Sequence, residues 1–199
     1  MNQMLRRFEP VIVSVLFLAG VAFLLKMCYL SLLFNTIFGI IFLLAFYTYI
    51  KKRYEIRLPP VLLVLVFAAL QVDALGNYFR MYGRSFGPVH YDEFAHLMVQ
   101  ALAAPLIIWL LRAGLEMCGY RLPFGLITLF AITTLFSLTA FYEIIELWDE
   151  LYFGGQRIWS PHDAPNDLQW NFAGILLGAL LTYLIARARV RASSLVAGS

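Results

Sequence analysis

The sequence predicts an all-α integral membrane protein, a bundle of about six transmembrane helices with both termini in the cytoplasm. Hydrophobic residues make up 62% of the 199 residues, whereas soluble domains contain ~45–50%. Charged residues make up only 14%, against ~25% in soluble domains, and the mean hydropathy is +0.78. This composition excludes a water-soluble enzyme and a disordered chain, and two cysteines are too few for a disulfide scaffold.

The first three predicted spans are apolar stretches close to the ~20 residues that a helix needs to cross the bilayer core. The first is short and closed by Lys26. It lacks a clear small-x-small cleavage site, so we interpret it as an uncleaved anchor rather than a signal peptide. The second ends at the basic run 51–53, and the third begins after Pro59, which suits a first helical turn. Their predicted bounds are 8–25, 27–50 and 59–77.

The last three spans follow the same length argument. The fourth begins near Tyr91 and ends at Arg112, with a kink expected at Pro105. The fifth begins at Pro123, and the sixth begins near Asp167 after the longest polar segment. Their predicted bounds are 91–112, 123–148 and 167–186. No internal repeat or soluble domain is visible, so we expect a single membrane domain over 1–199.

The distribution of charge predicts the orientation. With six spans, eleven of the fifteen Lys and Arg residues fall on the side that holds both termini, which the positive-inside rule assigns to the cytoplasm. Adding or removing one span would destroy this separation. Nine of the twelve Asp and Glu residues and all three histidines fall on the opposite side. We therefore expect a multi-pass protein of a bacterial inner membrane whose outer face is acidic.

Several of these acids lie within apolar spans, where a charge near the centre costs at least ~2.5–3.5 kcal/mol. Asp92 and His96 are four residues apart, so one helix face presents both, close enough to share a proton or a metal ion. A purely structural hydrogen bond is the alternative. Glu143 and Glu146 lie on one stripe of the fifth span, and their carboxylates repel each other unless a cation or proton intervenes.

The start of the sixth span is also polar. His162 and Asp163 precede it, and Asp167 and Asn171 continue one turn into the membrane. Helix capping explains one of these residues but not all of them. Further along, the spacing of Gly174 and Gly178 predicts a close approach to another helix. Asp73 and Asn77 form a similar polar pair near the outer end of the third span.

These groups predict one polar site at the outer face. Mixed carboxylate and imidazole ligands suit a divalent cation such as zinc, manganese or magnesium. The candidate metal ligands are Asp92, His96, Glu143, Glu146, Asp163 and Asp167. The candidate catalytic residues are Asp92, His96, Glu143 and Asp167, and the other polar candidates are Asp73, Asn77, His162 and Asn171.

The order of these motifs resembles a known family. D-x-x-x-H opens one span, E stands near the end of the next, and D-x-x-x-D-x-x-x-N-x-x-G opens the last. This order resembles the VanZ-like proteins and, more closely, the YjdF-like bacterial inner-membrane proteins. The matching residues are Asp92, His96, Glu143, Asp163, Asp167, Asn171 and Gly174, and the resemblance covers about 70–185. It implies an inner-membrane protein of unknown activity, with VanZ-like members linked to resistance to a glycopeptide antibiotic.

Three functions fit the sequence. The first is an enzyme that activates water at the outer leaflet and acts on a lipid-linked or envelope substrate. The second is a non-catalytic subunit of a larger membrane complex, in which the polar groups hold helices together. The third is a proton-coupled transporter. The expected partners are the lipid bilayer and other membrane subunits, and a net charge of only +3 gives no reason to expect nucleic acid.

Overall fold

The computed structural model contains five long helices and one short hairpin. It describes residues 9, 12–13, 15–17, 19–21, 23–24, 31–82, 84–154, 158 and 160–197, so seven of the eighteen residues of the first predicted span (8–25) lie outside the described residues. The helices are α1 (Leu32–Tyr54), α2 (Pro60–Tyr78), α3 (Tyr91–Met117), α4 (Phe124–Phe153) and α5 (Asp163–Ala197). The antiparallel strands β1 (Ser85–Phe86) and β2 (Val89–His90) precede α3.

All five helices of the described residues are long and apolar enough to cross a membrane, α5 through its segment Asp163–Arg189. At most 28% of the most apolar window of each helix is buried within the protein. The remaining apolar surface faces outward, which water does not tolerate over such an area but lipid does. The predicted class, an all-α membrane protein, is confirmed. The number six and the orientation of the termini stay predictions.

The helices extend beyond several predicted bounds. The fourth span was predicted to end at 112, but α3 continues to Met117, and α4 continues past 148 to Phe153. The sixth span was predicted to start at 167, whereas α5 starts at Asp163. Hydropathy marks the apolar core of a helix, while backbone hydrogen bonding carries the helix on into the polar region. α3 also stays a single helix through Pro105.

The chain divides into two compact units, Met1–Arg84 and Ser85–Ser199. In the first unit, α1 packs against α2, and a buried set of uncharged side chains links them. Asn35 donates its Nδ2–H to the Leu24 carbonyl at 2.7 Å and accepts from Gln71 Nε2 at 3.1 Å. Thr36 Oγ1 donates to Gln71 Oε1 at 2.9 Å. We call Asn35, Thr36 and Gln71 the neutral network.

In the second unit, α3, α4 and α5 pack together in layers. α3 and α5 run parallel, since Leu97 faces Gly174 and Ala101 faces Gly178. Two layers of this unit are formed by hydrophobic residues, and their buried residues recur every four positions along each helix. One layer contains Ile108, Ile127, Ala131 and Ala179, and the next contains Ala104, Leu135 and Ile175. These layers set the register that places the polar residues described below.

Candidate metal site

The polar residues of the second unit continue the same inward-facing stripes. Residues four apart lie on the same face of a helix. Four residues beyond the second apolar layer, each helix carries a hydroxyl or amide side chain, and after four more residues it carries an ionisable side chain. The first set is Gln100, Thr139 and Asn171, and the second is His96, Glu143 and Asp167. Each helix therefore contributes one ionisable residue to the second set.

Three ligand atoms converge at this end. His96 Nε2 lies 3.5 Å from Asp92 Oδ1 and 3.5 Å from Asp167 Oδ1, and one such atom from each residue lies within 4.8 Å of the others. These separations exceed the ~2.7–3.2 Å of an N–H···O hydrogen bond. Two ligands at ~2.1 Å from one tetrahedral ion lie ~3.4 Å apart, so the spacing fits shared coordination. We call Asp92, His96 and Asp167 the Asp–His cluster.

The orientation of the His96 ring supports this reading. Its Nδ1 lies 3.1 Å from Asn171 Oδ1, and an amide oxygen only accepts, so Nδ1–H is the donor. In the neutral ring, Nε2 then carries the lone pair, which points at the carboxylates of Asp92 and Asp167. Three acceptors facing one another repel, unless a cation or a second ring proton lies between them. Metal-bound histidines are held in this way by a partner on the other ring nitrogen.

Glu143 adds a further acceptor beside the cluster. It is 7% exposed, and its Oε1 has no hydrogen-bond partner among the described residues. Its carboxyl group lies within electrostatic range of His96 and Asp167. Asp167 Oδ1 is also buried and accepts no hydrogen bond from any described residue. Leaving buried polar atoms unpaired is costly, so this end of the unit is short of positive charge or protons.

The three residues of the cluster differ in their exposure. The side chains of Asp92 and His96 keep 24% and 19% of their exposure, whereas Asp167 keeps 4%.

Glu93 links the two helices that carry the cluster. Its Oε2 accepts from the backbone N–H of His90 at 2.9 Å, and its Oε1 accepts from Asn166 Nδ2 at 3.2 Å. The sequence interpretation missed this role. The third position of a helix is where a Glu reaches back to cap the N-terminus, so the capping half could have been found, but the bond to α5 could not.

Close packing of the helix backbones brings the cluster together. A Cβ atom at Gly174 would clash with the carbonyl oxygen of Leu97, and one at Gly178 would clash with that of Ala101. Small residues permit such an approach. Because α5 lies this close to α3, Asp167 and Asn171 reach the two sides of the His96 ring.

Comparison with known proteins places the chain in a family. A family model described as "Predicted membrane protein (DUF2238)" matches residues 9–192. The chain belongs to this family. The family description agrees with the five apolar helices and names no activity. No curated protein and no solved structure matches the chain significantly.

The remaining predicted residues lie outside the converging triple. Glu146 and Asp163 lie within electrostatic range of Glu143, at the same acidic end of the second unit. His162 is exposed, just before α5. In the first unit, Asn77 Nδ2 donates to the Asp73 carbonyl at 3.0 Å. The hydroxyl of Tyr82 donates to the Asp73 carboxylate, so this pair has local partners of its own.

Proposed function

We propose that the protein is a metal-dependent membrane enzyme that binds one divalent cation at the Asp–His cluster. The observation that carries the proposal is the convergence of Asp92, His96 Nε2 and Asp167 on one point. Asn171 holds the histidine in the orientation that a ligand needs. Asp92, His96 and Asp167 supply three protein ligands, which leaves a coordination position for water, as in catalytic zinc sites.

Water activation is the chemistry that this arrangement supports. A bound cation lowers the pKa of its water and makes it a nucleophile near neutral pH. Glu143 is the buried carboxylate beside the cluster, and we assign it the role of general base toward that water. Among zinc, manganese and magnesium we favour zinc. One imidazole with few carboxylates suits it, and the 3.5 Å spacing fits tetrahedral coordination.

The substrate class follows from the proposed location. We propose a bacterial inner membrane with both termini cytoplasmic, which puts the Asp–His cluster at the outer face. A substrate there is a lipid-linked or other envelope molecule. The resemblance of the motifs to VanZ-like and YjdF-like proteins supports an envelope role.

A structural role in a larger complex is the second candidate. It is favoured by the polar contacts between α3 and α5, because a doubly protonated His96 that forms ion pairs with Asp92 and Asp167 would also hold these helices together. Transport through the second unit is disfavoured. Beneath the polar residues, the described core is built mainly from the hydrophobic layers of Ala104, Leu135 and Ile175 and of Ile108 and its neighbours. The buried hydroxyl of Thr128 beside them donates to the Phe124 carbonyl of its own helix.

Metal analysis of the purified protein tests the proposal. Detergent-purified wild-type protein, supplied in turn with zinc, manganese and magnesium and then desalted, should retain about one ion per chain. His96→Ala should retain background amounts, and the matched control His162→Ala, an exposed histidine outside the cluster, should retain the wild-type amount. Glu143→Gln should keep the ion, since its proposed role is that of a base. Equal metal content in wild type and His96→Ala would reject the metal site and favour the structural role.

A further inference from the structure

A second candidate site lies at the opposite end of the three-helix unit. Arg112 stands sixteen residues after His96 on α3, which corresponds to ~24 Å along the helix axis. There, the end of α3, the start of α4 and the later turns of α5 surround an open cleft of about 820 Å³. Four arginines line it, namely Arg112, Arg121, Arg187 and Arg189.

The cleft has an excess of positive charge. Glu116 is the acidic residue among its lining side chains, and Arg112 Nε donates to Glu116 Oε1 at 2.9 Å. Arg121 and Arg187 form no ion pair within the part of the chain that the structure describes. α4 begins beside the cleft at Phe124, with no side-chain cap and no acid in its first turn. The positive end of the α4 helix dipole adds to the attraction for an anion.

The rest of the lining is apolar or aromatic. Leu122, Phe124 and Ile127 line the cleft together with Tyr183. The rings of Phe124 and Tyr183 stack with their centroids 5.9 Å apart. A small soluble anion would use the arginines alone and leave this apolar surface unused. A molecule with an anionic head and an apolar tail would use both parts of the lining.

We propose that this cleft binds the phosphate headgroup of an anionic phospholipid, with an acyl chain lying against the apolar residues at the start of α4. The arginines of the cleft lie near the ends of helices that are long and apolar enough to cross a membrane, and lipid headgroups surround the ends of such spans. Basic pockets between membrane helices bind anionic headgroups by this charge complementarity. The site is independent of the Asp–His cluster, and neither proposal requires the other.

Lipid competition measured by native mass spectrometry tests the site. Delipidated protein in a non-ionic detergent is mixed with equimolar phosphatidylglycerol and phosphatidylcholine, and the bound lipids are counted. Wild type should retain phosphatidylglycerol in preference to phosphatidylcholine. The double variant Arg121→Gln/Arg187→Gln should lose about 30-fold in affinity for phosphatidylglycerol, because it removes two basic residues that each contribute ~1 kcal/mol near an anionic lipid.

Two further variants keep the test sharp. Lys52→Gln/Arg57→Gln removes two exposed cations of the first unit and should retain wild-type binding. Arg121→Lys/Arg187→Lys keeps the positive charges and should recover most of the phosphatidylglycerol binding. This result would distinguish loss of the site from misfolding of the protein. Equal phosphatidylglycerol occupancy in the glutamine variant and wild type would overturn the proposal. It would also be overturned if millimolar inorganic phosphate bound in an Arg121-dependent way while phosphatidylglycerol did not.

Discussion

The two units bury polar side chains in opposite ways. In the neutral network, the Asn35 amide both donates and accepts, Gln71 does the same, and Thr36 donates. In the Asp–His cluster, the carboxylates of Asp92 and Asp167 face Nε2 of His96, while the other ring nitrogen, Nδ1, makes the hydrogen bond to Asn171.

The difference separates a structural polar group from a site. Donors and acceptors match in the neutral network, so it needs nothing further in order to hold α1 against α2. In the Asp–His cluster, hydrogen-bond acceptors outnumber donors. A buried excess of acceptors is stable only when a cation or additional protons neutralise it. Buried polarity alone does not indicate function. A mismatch between donors and acceptors does.

The largest effect is expected from putting a charge into the neutral network. Asn35→Asp replaces the donor to the Leu24 carbonyl by a carboxylate oxygen at a position that is 1% exposed. An uncompensated buried charge should lower the free energy of unfolding by about 3–5 kcal/mol, measured by thermal unfolding in detergent. The same amide-to-carboxylate change at exposed Gln169 should leave stability near wild type. A stable Asn35→Asp protein would mean that the neutral network tolerates a charge, and the proposed difference between the neutral network and the Asp–His cluster would be wrong.

The next effect compares glycines of the two units. Gly174→Ala puts a Cβ against the backbone of Leu97, whereas Gly39→Ala meets only the Phe67 ring at 3.7 Å, an ordinary contact. Gly174→Ala should destabilise by about 1–3 kcal/mol through overpacking. Gly39→Ala should be neutral or stabilising, because Ala is the better helix former. Similar melting temperatures for both variants would contradict the close backbone approach of α3 and α5.

A smaller effect tests the orienting residue of the Asp–His cluster. Asn171→Ala removes the acceptor for His96 Nδ1–H and should weaken metal binding ~10–100-fold, the usual cost of losing such a partner. Asn171→Asp keeps an acceptor oxygen and should bind metal nearly as well as wild type. Isothermal titration with zinc measures both. If the two variants weaken binding equally, Asn171 does not act by orienting the ring.

The smallest effect has the opposite sign. Asp167→Asn removes one negative charge from the acceptor-rich cluster and should stabilise the metal-free protein by about 1 kcal/mol. It should also abolish the rise in melting temperature that added metal produces in wild type. Glu55→Gln, an exposed carboxylate of the first unit, should change neither measurement. Destabilisation of metal-free Asp167→Asn would indicate that its carboxylate is already paired in the absence of metal.

Features that depend on one helix were predictable. The apolar stretches predicted the five helices, because an apolar segment in lipid must form its backbone hydrogen bonds within itself and therefore becomes helical. The four-residue spacing placed Asp92 beside His96. Asn35 was missed, since a single amide in an apolar span carries no pattern. Its importance depends on Gln71, which lies on another helix.

The sequence by itself determined the membrane class, the helices, and the stripes of acids and histidine that point to the acidic end. Only the tertiary structure decided which stripes meet. It brought Asp167 and Asn171 to His96 and left Glu146 and Asp163 outside the converging triple. Helical periodicity is local, so it shows which residues share a face. The register and rotation of one helix against another depend on packing contacts such as Gly174 on Leu97, which no single span contains.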